Sequence, residues 1–416
     1  MVSKLIAVIR NLSMYFVAAL VPMLLSLLIN PFLARELSPS DYAIIGYYGA
    51  FNSFFQPVIT FYLLHYYTKR YFELDEIERR CFRATIFKAL IFFSLLLAVL
   101  CMAGLVIYHC LFNSDSTLPI FPYVVLSVLP LFLTGIYMLQ LVDFRMSRKP
   151  ISYLIWTCSN ALIGAVLAIA FVVCFRMGAY GRMLATLVAA SVVFAMVILR
   201  NLKAWHHSFE ARVFLKSLVF CSPLVLASVL TFFSTGYEKV ILERLVSVEE
   251  LGVYSVAFSI AAYLHVFSTT LNDTFQPDIY KGIATKHYLS VFKYIVLKLV
   301  VITCVVLVFI ALCEPLISIL TFGRYVHASS FARILALSSI SSMLYYSVSQ
   351  VTVALGYTNI ALMNKVVGSL LCIFTYSWLI HWYGAIGAAW GVVVSYLYFF
   401  VGNIIFVLVK RKFKTA

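Results

Sequence analysis

The sequence predicts an all-α polytopic membrane protein of about twelve transmembrane helices, arranged as two six-helix bundles. Three observations predict it. Hydrophobic residues make up 63% of the 416 and charged residues only 11%, with a mean hydropathy of +1.00. A water-soluble fold cannot hide that much apolar surface. The chain also echoes itself at about half its length. Arg35-Glu36-Leu37-Ser38-Pro39-Ser40-Asp41-Tyr42-Ala43 returns as Arg244-Leu245-Val246-Ser247-Val248-Glu249-Glu250-Leu251-Gly252, an offset of 209. Gly178-Ala179-Tyr180-Gly181 returns as Gly384-Ala385-Ile386-Gly387, an offset of 206. Finally, twelve spans place 24 of the 31 lysines and arginines on one side, and miscounting by one would scramble the asymmetry.

The elements follow in order. Lys4 and Arg10 precede an apolar run at 12–33, long enough to span a bilayer and too long for a signal-peptide core, with Pro22 a tolerated kink. Ser38 caps a second helix at 42–64. The loop 65–88 carries Lys69, Arg70, Arg79, Arg80, Arg83 and Lys88 and is therefore cytoplasmic. Helix three covers 84–111, and the loop 113–118 has no Lys or Arg. Helix four covers 121–142 and is followed by Arg145, Arg148 and Lys149; helices five and six cover 151–175 and 183–199, joined through Gly178 and Gly181.

The polar segment 200–216 is the expected cytoplasmic joint between an N-terminal bundle, 1–199, and a C-terminal bundle, 217–416. Helix seven covers 217–236. Ser247-Val248-Glu249-Glu250 fits a capping box, a hydroxyl N-cap with a carboxylate three residues on, and opens helix eight at 251–275. A basic loop with Lys281, Lys286, Lys293 and Lys298 leads to helix nine, 294–313, and helix ten covers 331–355. A tight turn, Gly356-Tyr357-Thr358-Asn359, leads to helix eleven, 360–382; helix twelve covers 385–409 before the basic tail 410–414. Seven basic residues fall on the other side: Arg35, Arg176, Arg182, Lys239, Arg244, Arg324 and Arg333. Both termini are therefore expected in the cytoplasm. Six helices per half is even, so both halves insert the same way up, related by a pseudo-two-fold axis along the membrane normal. That is the architecture of an alternating-access transporter, whatever it carries.

Composition also narrows the chemistry. A net charge of +15 would suggest nucleic acid for a soluble chain; here positive-inside bias and attraction to anionic membrane lipid account for it. The nine cysteines lie mostly inside apolar runs with no CxxC pair, as small core or lipid-facing residues do. No GxxxxGK[ST], HExxH, Cys/His cluster or GxSxG occurs, so neither ATP drive, a metal site, a cofactor nor an enzymatic role has a positive signal.

Charged and amide residues inside spans are the sharper signal, because each is costly unless it faces a wet cavity or a partner. Lys365 lies about six residues, or roughly 9 Å, into helix eleven, where it either meets phosphate oxygens in a cavity or snorkels. Glu238-Lys239 sits where helix seven leaves the outer leaflet, as a vestibule lining, a protonatable switch or a local ion pair. Arg35 and Arg244 occupy equivalent places in the repeat, either at an outer mouth or as interfacial anchors. Asn52 and Gln56 share one face of helix two beside Pro57, and Asn160 is comparably deep in helix five; these amides bind a neighbouring helix or line a cavity. Helix ten carries Ser338, Ser339, Ser341, Ser342, Tyr345, Tyr346, Ser349 and Gln350, a face that suits sugar hydroxyls or close helix packing. His265 and His109 read as structural histidines rather than proton relays.

The runs Phe32-Leu33-Ala34-Arg35-Glu36-Leu37 through Asp41-Tyr42, Glu238-Lys239-Val240-Ile241-Leu242 through Ala257, and Tyr383-Gly384-Ala385-Ile386-Gly387-Ala388-Ala389 resemble the Wzx-type polysaccharide flippases of the multidrug/oligosaccharidyl-lipid/polysaccharide exporter superfamily. The resemblance covers essentially the whole chain in helix number and loop pattern. It implies a MATE-like fold in the bacterial inner membrane that flips an undecaprenyl-pyrophosphate-linked oligosaccharide, an O-antigen or capsule repeat unit, to the outer leaflet. Where many members carry Asp-Arg, this chain has Glu238-Lys239, which keeps the signs but loses the bidentate phosphate grip of arginine. Lys365, Lys239, Arg35, Arg244 and Arg333 become candidate phosphate partners, and Glu238 the candidate for H⁺ or Na⁺ coupling. Other implied partners are membrane lipid and the polysaccharide polymerase machinery, with no nucleic acid.

Three alternatives stay open. A multidrug exporter of the same superfamily would favour carboxylates deep in the bundle over amides and a lysine. A lipid II flippase typically has fourteen helices. An O-antigen polymerase or ligase would carry a large loop outside the cytoplasm, whereas the loops here are short.

Overall fold

The computed structural model describes residues 2–113, 116–202, 205, 207–355 and 358–415. All its regular elements are helices: α1 (Val2–Glu36), α2 (Pro39–Ala50), α3 (Asn52–Thr60), α4 (Leu63–Arg70), α5 (Glu76–Phe112), α6 (Tyr123–Met146), α7 (Pro150–Ala168, continued by a wider turn over Ile169–Cys174), α8 (Gly178–Arg200), α9 (Ala211–Val229), α10 (Phe232–Thr235), α11 (Tyr237–Leu245), α12 (Val248–Ala284), α13 (Tyr288–Thr321), α14 (Ala328–Ala354) and α15 (Thr358–Thr415). Among the described residues nine helices are long and apolar enough to cross a membrane. The last of these folds back on itself at Gly384, whose φ of 54° is left-handed, so it supplies the two expected final spans. The protein is a multi-pass membrane protein. The expected turn at Gly356-Tyr357 lies outside the described residues.

Two expected spans are broken rather than continuous. The second runs as α2, α3 and α4, with Phe61 and Tyr62 left-handed at φ 44° and 50° between the last two. Pro57 in α3 removes one N–H just upstream. Bulky residues rarely adopt this conformation, and inside a membrane the freed polar groups need protein partners. They have them: the Cys221 thiol donates to the Tyr62 carbonyl at 3.2 Å, and the Tyr62 and Ser228 hydroxyls lie 2.8 Å apart. The seventh span is likewise divided into α9, α10 and α11, broken around Leu230–Thr231 and again at Gly236.

Several helices start earlier than hydropathy suggests. Asp75 and Glu78 form a reciprocal capping box that begins α5 at Glu76, so Arg79, Arg80, Arg83 and Lys88 are helical rather than in a loop. Lys293 and Lys298 are likewise inside α13. Hydropathy marks the apolar core of a helix and misses the polar turns that extend it. The Ser247 cap is as expected, its hydroxyl accepting from the Glu250 N–H at 3.1 Å.

The chain divides into two compact units, Met1–Ser38 with Phe51–Val229, and Pro39–Ala50 with Leu230–Ala416. This differs from the expected division at 199 and 217. Of the three cut points observed, the one after Ser38 falls between α1 and α2, and those after Ala50 and Val229 fall within the broken spans. In the first unit the supposed joint is tied to α5, where Lys88 donates to the carbonyls of Trp205 and His207 at 3.2 and 2.6 Å. The α9 side chains of Phe220 and Phe214 then pack on Tyr66 and Phe93. In the second unit α2 lies against α12, the helix that echoes it in sequence. A Cβ on Gly252 would collide with the Pro39 carbonyl, and one on Gly46 with the Ser255 side chain. Glycine permits the approach.

The second echo is also a repeated turn. Gly178 and Gly384 both have positive φ, 57° and 54°. Three residues later, a Cβ on Gly181 would crowd the Phe171 carbonyl and one on Gly387 would collide with that of Leu379. In each unit the first glycine reverses the chain and the second lets the returning helix start against its predecessor.

Candidate functional site

The break in the seventh span organises a polar site within the second unit. Between α9 and α11 the helix is interrupted on either side of the single turn α10, and side chains of α15 hydrogen-bond the carbonyls there. Ser369 donates to the Leu230 carbonyl at 2.9 Å, and Tyr376 to the Ser234 carbonyl at 2.8 Å. Lys365 donates to the Thr231 hydroxyl at 2.7 Å. Thr231 in turn lines a cavity of about 290 Å³ together with Phe258, His265, Ser338, Tyr346 and Tyr396. Lys239 stands with its ammonium 3.7 Å from the centre of the Phe258 ring, a cation–π contact. Both expected lysines therefore touch walls of one cavity.

Glu238 opens α11 and is fully buried at 0% exposure. Neither of its carboxylate oxygens has a hydrogen-bond partner among the described residues, and the same holds for the Tyr254 hydroxyl. Tyr254, Tyr376 and Tyr396 lie within electrostatic reach of that carboxylate. Instead of pairing with Glu238, Lys239 rests on Phe258. The local ion pair open to the Glu238-Lys239 sequence is not formed; a buried acid and a ring-bound ammonium take its place. An enclosed carboxylate without donors is stabilised by a proton or a cation rather than by water.

The other expected residues are more scattered. Gln350 is buried and belongs to a second polar node in the same unit: the Lys298 ammonium donates to Asn272 Oδ1 at 2.9 Å and to Gln350 Oε1 at 3.3 Å, and Gln350 Nε2 donates to the Asn272 carbonyl at 3.1 Å. Arg333 sits 3.4 Å from Glu314 on a half-exposed surface. Arg244 is exposed. In the first unit Arg35 is exposed near Glu36, at 3.9 Å, while Asn52, Gln56 and Asn160 are half-buried, with Asn52 Oδ1 enclosed and without a partner. On α14 the hydroxyls of Ser338, Ser341 and Ser342 donate to carbonyls one turn back, and from that face Ser338 and Tyr346 line the cavity. His265 is a cavity wall beside Tyr346 and Tyr396.

Sequence reasoning missed two sets of residues. Lys298 is completely buried although it was counted with a basic loop. The signal was present: it is a single cation inside the apolar run Tyr294-Ile295-Val296-Leu297-Lys298-Leu299-Val300-Val301. In the first unit the Asp143 carboxylate binds both the Arg83 guanidinium and the Tyr67 hydroxyl. Arg83 also donates to Asn201 Oδ1 at 2.8 Å and Gln140 Oε1 at 3.4 Å. Gln140 and Gln350 are 210 apart, close to the repeat offset, so each unit joins a basic residue of its third span to a glutamine of its fourth.

A family model described as polysaccharide biosynthesis protein matches residues 8–281. No curated protein matches the chain. Among solved structures, the lipid II flippase MurJ in an inward closed conformation is similar with a TM-score of 0.70 at 15% identity, over 96% of this chain and 87% of that one. An inward-facing multidrug resistance MATE family transporter of the MOP superfamily gives 0.68 at 14% identity, over 95% and 99%. A mutant of the Vibrio cholerae MATE transporter VcmN gives 0.59 at 14% identity, over 99% and 98%. At such identities the likeness is one of fold.

Proposed function

Since the chain belongs to the polysaccharide biosynthesis protein family, we propose that it is a flippase for an undecaprenyl-pyrophosphate-linked oligosaccharide, an O-antigen or capsule repeat unit. It works by alternating access in the bacterial inner membrane, with both termini in the cytoplasm. The observation that carries this reading is the pairing of Lys365 and Lys239 with one hydroxyl- and aromatic-lined cavity. A pyrophosphate crossing a membrane loses its water, and cations held beside hydroxyls and rings replace that water with fixed partners. Tyrosine faces and a serine hydroxyl suit a sugar. Glu238, enclosed within electrostatic reach of Tyr396 on the cavity wall, is the group that takes up H⁺ or Na⁺ and couples the cycle to a gradient. Arg35, Arg244 and Arg333 act at the mouths, where a diphosphate first meets the protein, and Asn52, Gln56 and Asn160 supply neutral hydrogen bonds to the glycan. The protein catalyses no covalent chemistry and hands its cargo to the polymerase machinery.

A multidrug exporter is the second reading, and the buried Glu238 is what favours it, since an organic cation needs a carboxylate. Lys239 next to that carboxylate, and Lys365 on Thr231 of the cavity wall, oppose a cationic cargo. A deletion strain separates the readings. Loss of the protein should leave the lipid-linked repeat unit in the cytoplasmic leaflet, protected from a glycosidase added outside the cell membrane, and restoring the gene should expose it. Undisturbed surface polysaccharide with heightened sensitivity to organic cations would favour the exporter.

A further inference from the structure

A second cavity, of about 480 Å³, lies wholly within the first unit, between α4, α6 and the start of α7. Its lining has two characters. Leu64, Met138, Leu141 and Val142 make one wall apolar, while His65, Lys69 and Arg145 bring cationic or protonatable nitrogen to the rim. His65 and Lys69 are one helical turn apart on α4 and so share a face. Arg145 stands in the last turn of α6, within electrostatic range of the His65 ring.

No carboxylate lines this pocket, and neither Lys69 nor Arg145 forms an ion pair among the described residues. The acid nearest in sequence, Asp143, has one oxygen on Arg83 and the other on Tyr67, so it is not available to neutralise them. Lys69 instead leans over the Phe220 ring at 4.5 Å. Cations gathered without a counter-charge around a concave site attract an anion. An apolar wall directly below them suits an anion that carries a hydrocarbon chain. A soluble phosphate would gain nothing from Met138 and Leu141.

We infer that this pocket binds the phosphate head of a lipid, with Lys69 and Arg145 on the phosphate oxygens and the first carbons of the chain against Leu64, Met138 and Leu141. The site is carried by the first unit and does not depend on the cargo assigned to the cavity around Thr231. Two lipids offer this chemistry: an isoprenoid diphosphate and an anionic bilayer phospholipid.

Native mass spectrometry of the delipidated full-length protein distinguishes them, using farnesyl diphosphate, a short-chain phosphatidylglycerol and inorganic pyrophosphate as probes. Wild type should retain the lipids and not pyrophosphate. Lys69→Gln with Arg145→Gln removes two charge-assisted hydrogen bonds and should weaken lipid binding about tenfold or more. Both residues are exposed, so the double variant should fold. Met138→Trp, which fills the apolar wall, should weaken it too. Preference for farnesyl diphosphate would assign the site to the isoprenoid, and equal or better retention of phosphatidylglycerol to the bilayer. Wild-type lipid binding by the double variant, or pyrophosphate bound as tightly as farnesyl diphosphate, would overturn the inference.

Discussion

The Glu250 carboxylate accepts the Ala385 N–H at 3.3 Å, joining the charged stretch that opens α12 to the glycine turn inside α15. These are the two stretches whose echoes betray the doubled chain. After the left-handed Gly384, Ala385 begins a helical segment whose first N–H groups have no partner within it, and Glu250 fills that role. Glu250→Ala should therefore lower the melting temperature in detergent by the equivalent of about 1 kcal/mol, with Glu250→Gln milder. An unchanged melting temperature for Glu250→Ala would show that the contact contributes nothing.

Gly384 and Gly387 make distinct predictions. Gly384→Ala puts a side chain on left-handed backbone, which costs about 1–3 kcal/mol. Gly387→Ala places a Cβ inside the Leu379 carbonyl, so α15 must separate around its bend. Thermal unfolding should rank Gly387→Ala as the more damaging, and the reverse order would mean that backbone conformation, not close approach, limits this turn.

The Lys298 node predicts an asymmetry. Gln350→Leu leaves a wholly buried ammonium with Asn272 as its remaining partner, whereas Lys298→Met leaves two neutral amides short of a donor, at about 1–3 kcal/mol. A buried charge that loses a partner is the costlier outcome. Folded yield and melting temperature should fall further for Gln350→Leu, and equal losses would contradict the node as described.

In the first unit, Arg83→Lys tests whether geometry or charge matters at Asp143. The guanidinium reaches Asp143, Asn201 and Gln140 together, and an ammonium lacks that planar fork. The variant should be nearly as unstable as Arg83→Ala in urea or heat. Full rescue by lysine would reduce the cluster to a simple ion pair.

Much of this was legible in the sequence, for physical reasons. Burial in lipid demands long apolar runs, so the helices and the duplication show in hydropathy and in repeated glycines and caps. The breaks at Phe61–Tyr62 and Leu230–Thr231 do not show, because their carbonyls are satisfied by residues distant in the chain, such as Cys221 and Ser369. The placement of α2 with the second unit does not show either, since it goes with close approaches at Gly46 and Gly252 to residues distant in the chain. Lys239 and Lys365 stood out as charges near or within apolar runs; each contacts one residue that lines the cavity, Phe258 and Thr231 respectively. Lys298 carries a sequence signal, as a single cation inside an apolar run. Arg83 does not, since a charge at the rim of a hydropathy window cannot be told from one outside it. Only its buried partners separate the two cases.

Transport by inverted membrane vesicles tests the central claim most directly. Vesicles with and without the protein would receive a radiolabelled prenyl-pyrophosphate-linked sugar, and its arrival at the lumenal face would be followed under an imposed H⁺ or Na⁺ gradient. The account predicts protein-dependent arrival, slowed at least tenfold by Lys365→Ala through loss of a charged contact to phosphate, and made insensitive to the gradient by Glu238→Gln. No arrival of any lipid-linked sugar, with uptake of an organic cation instead, would contradict it.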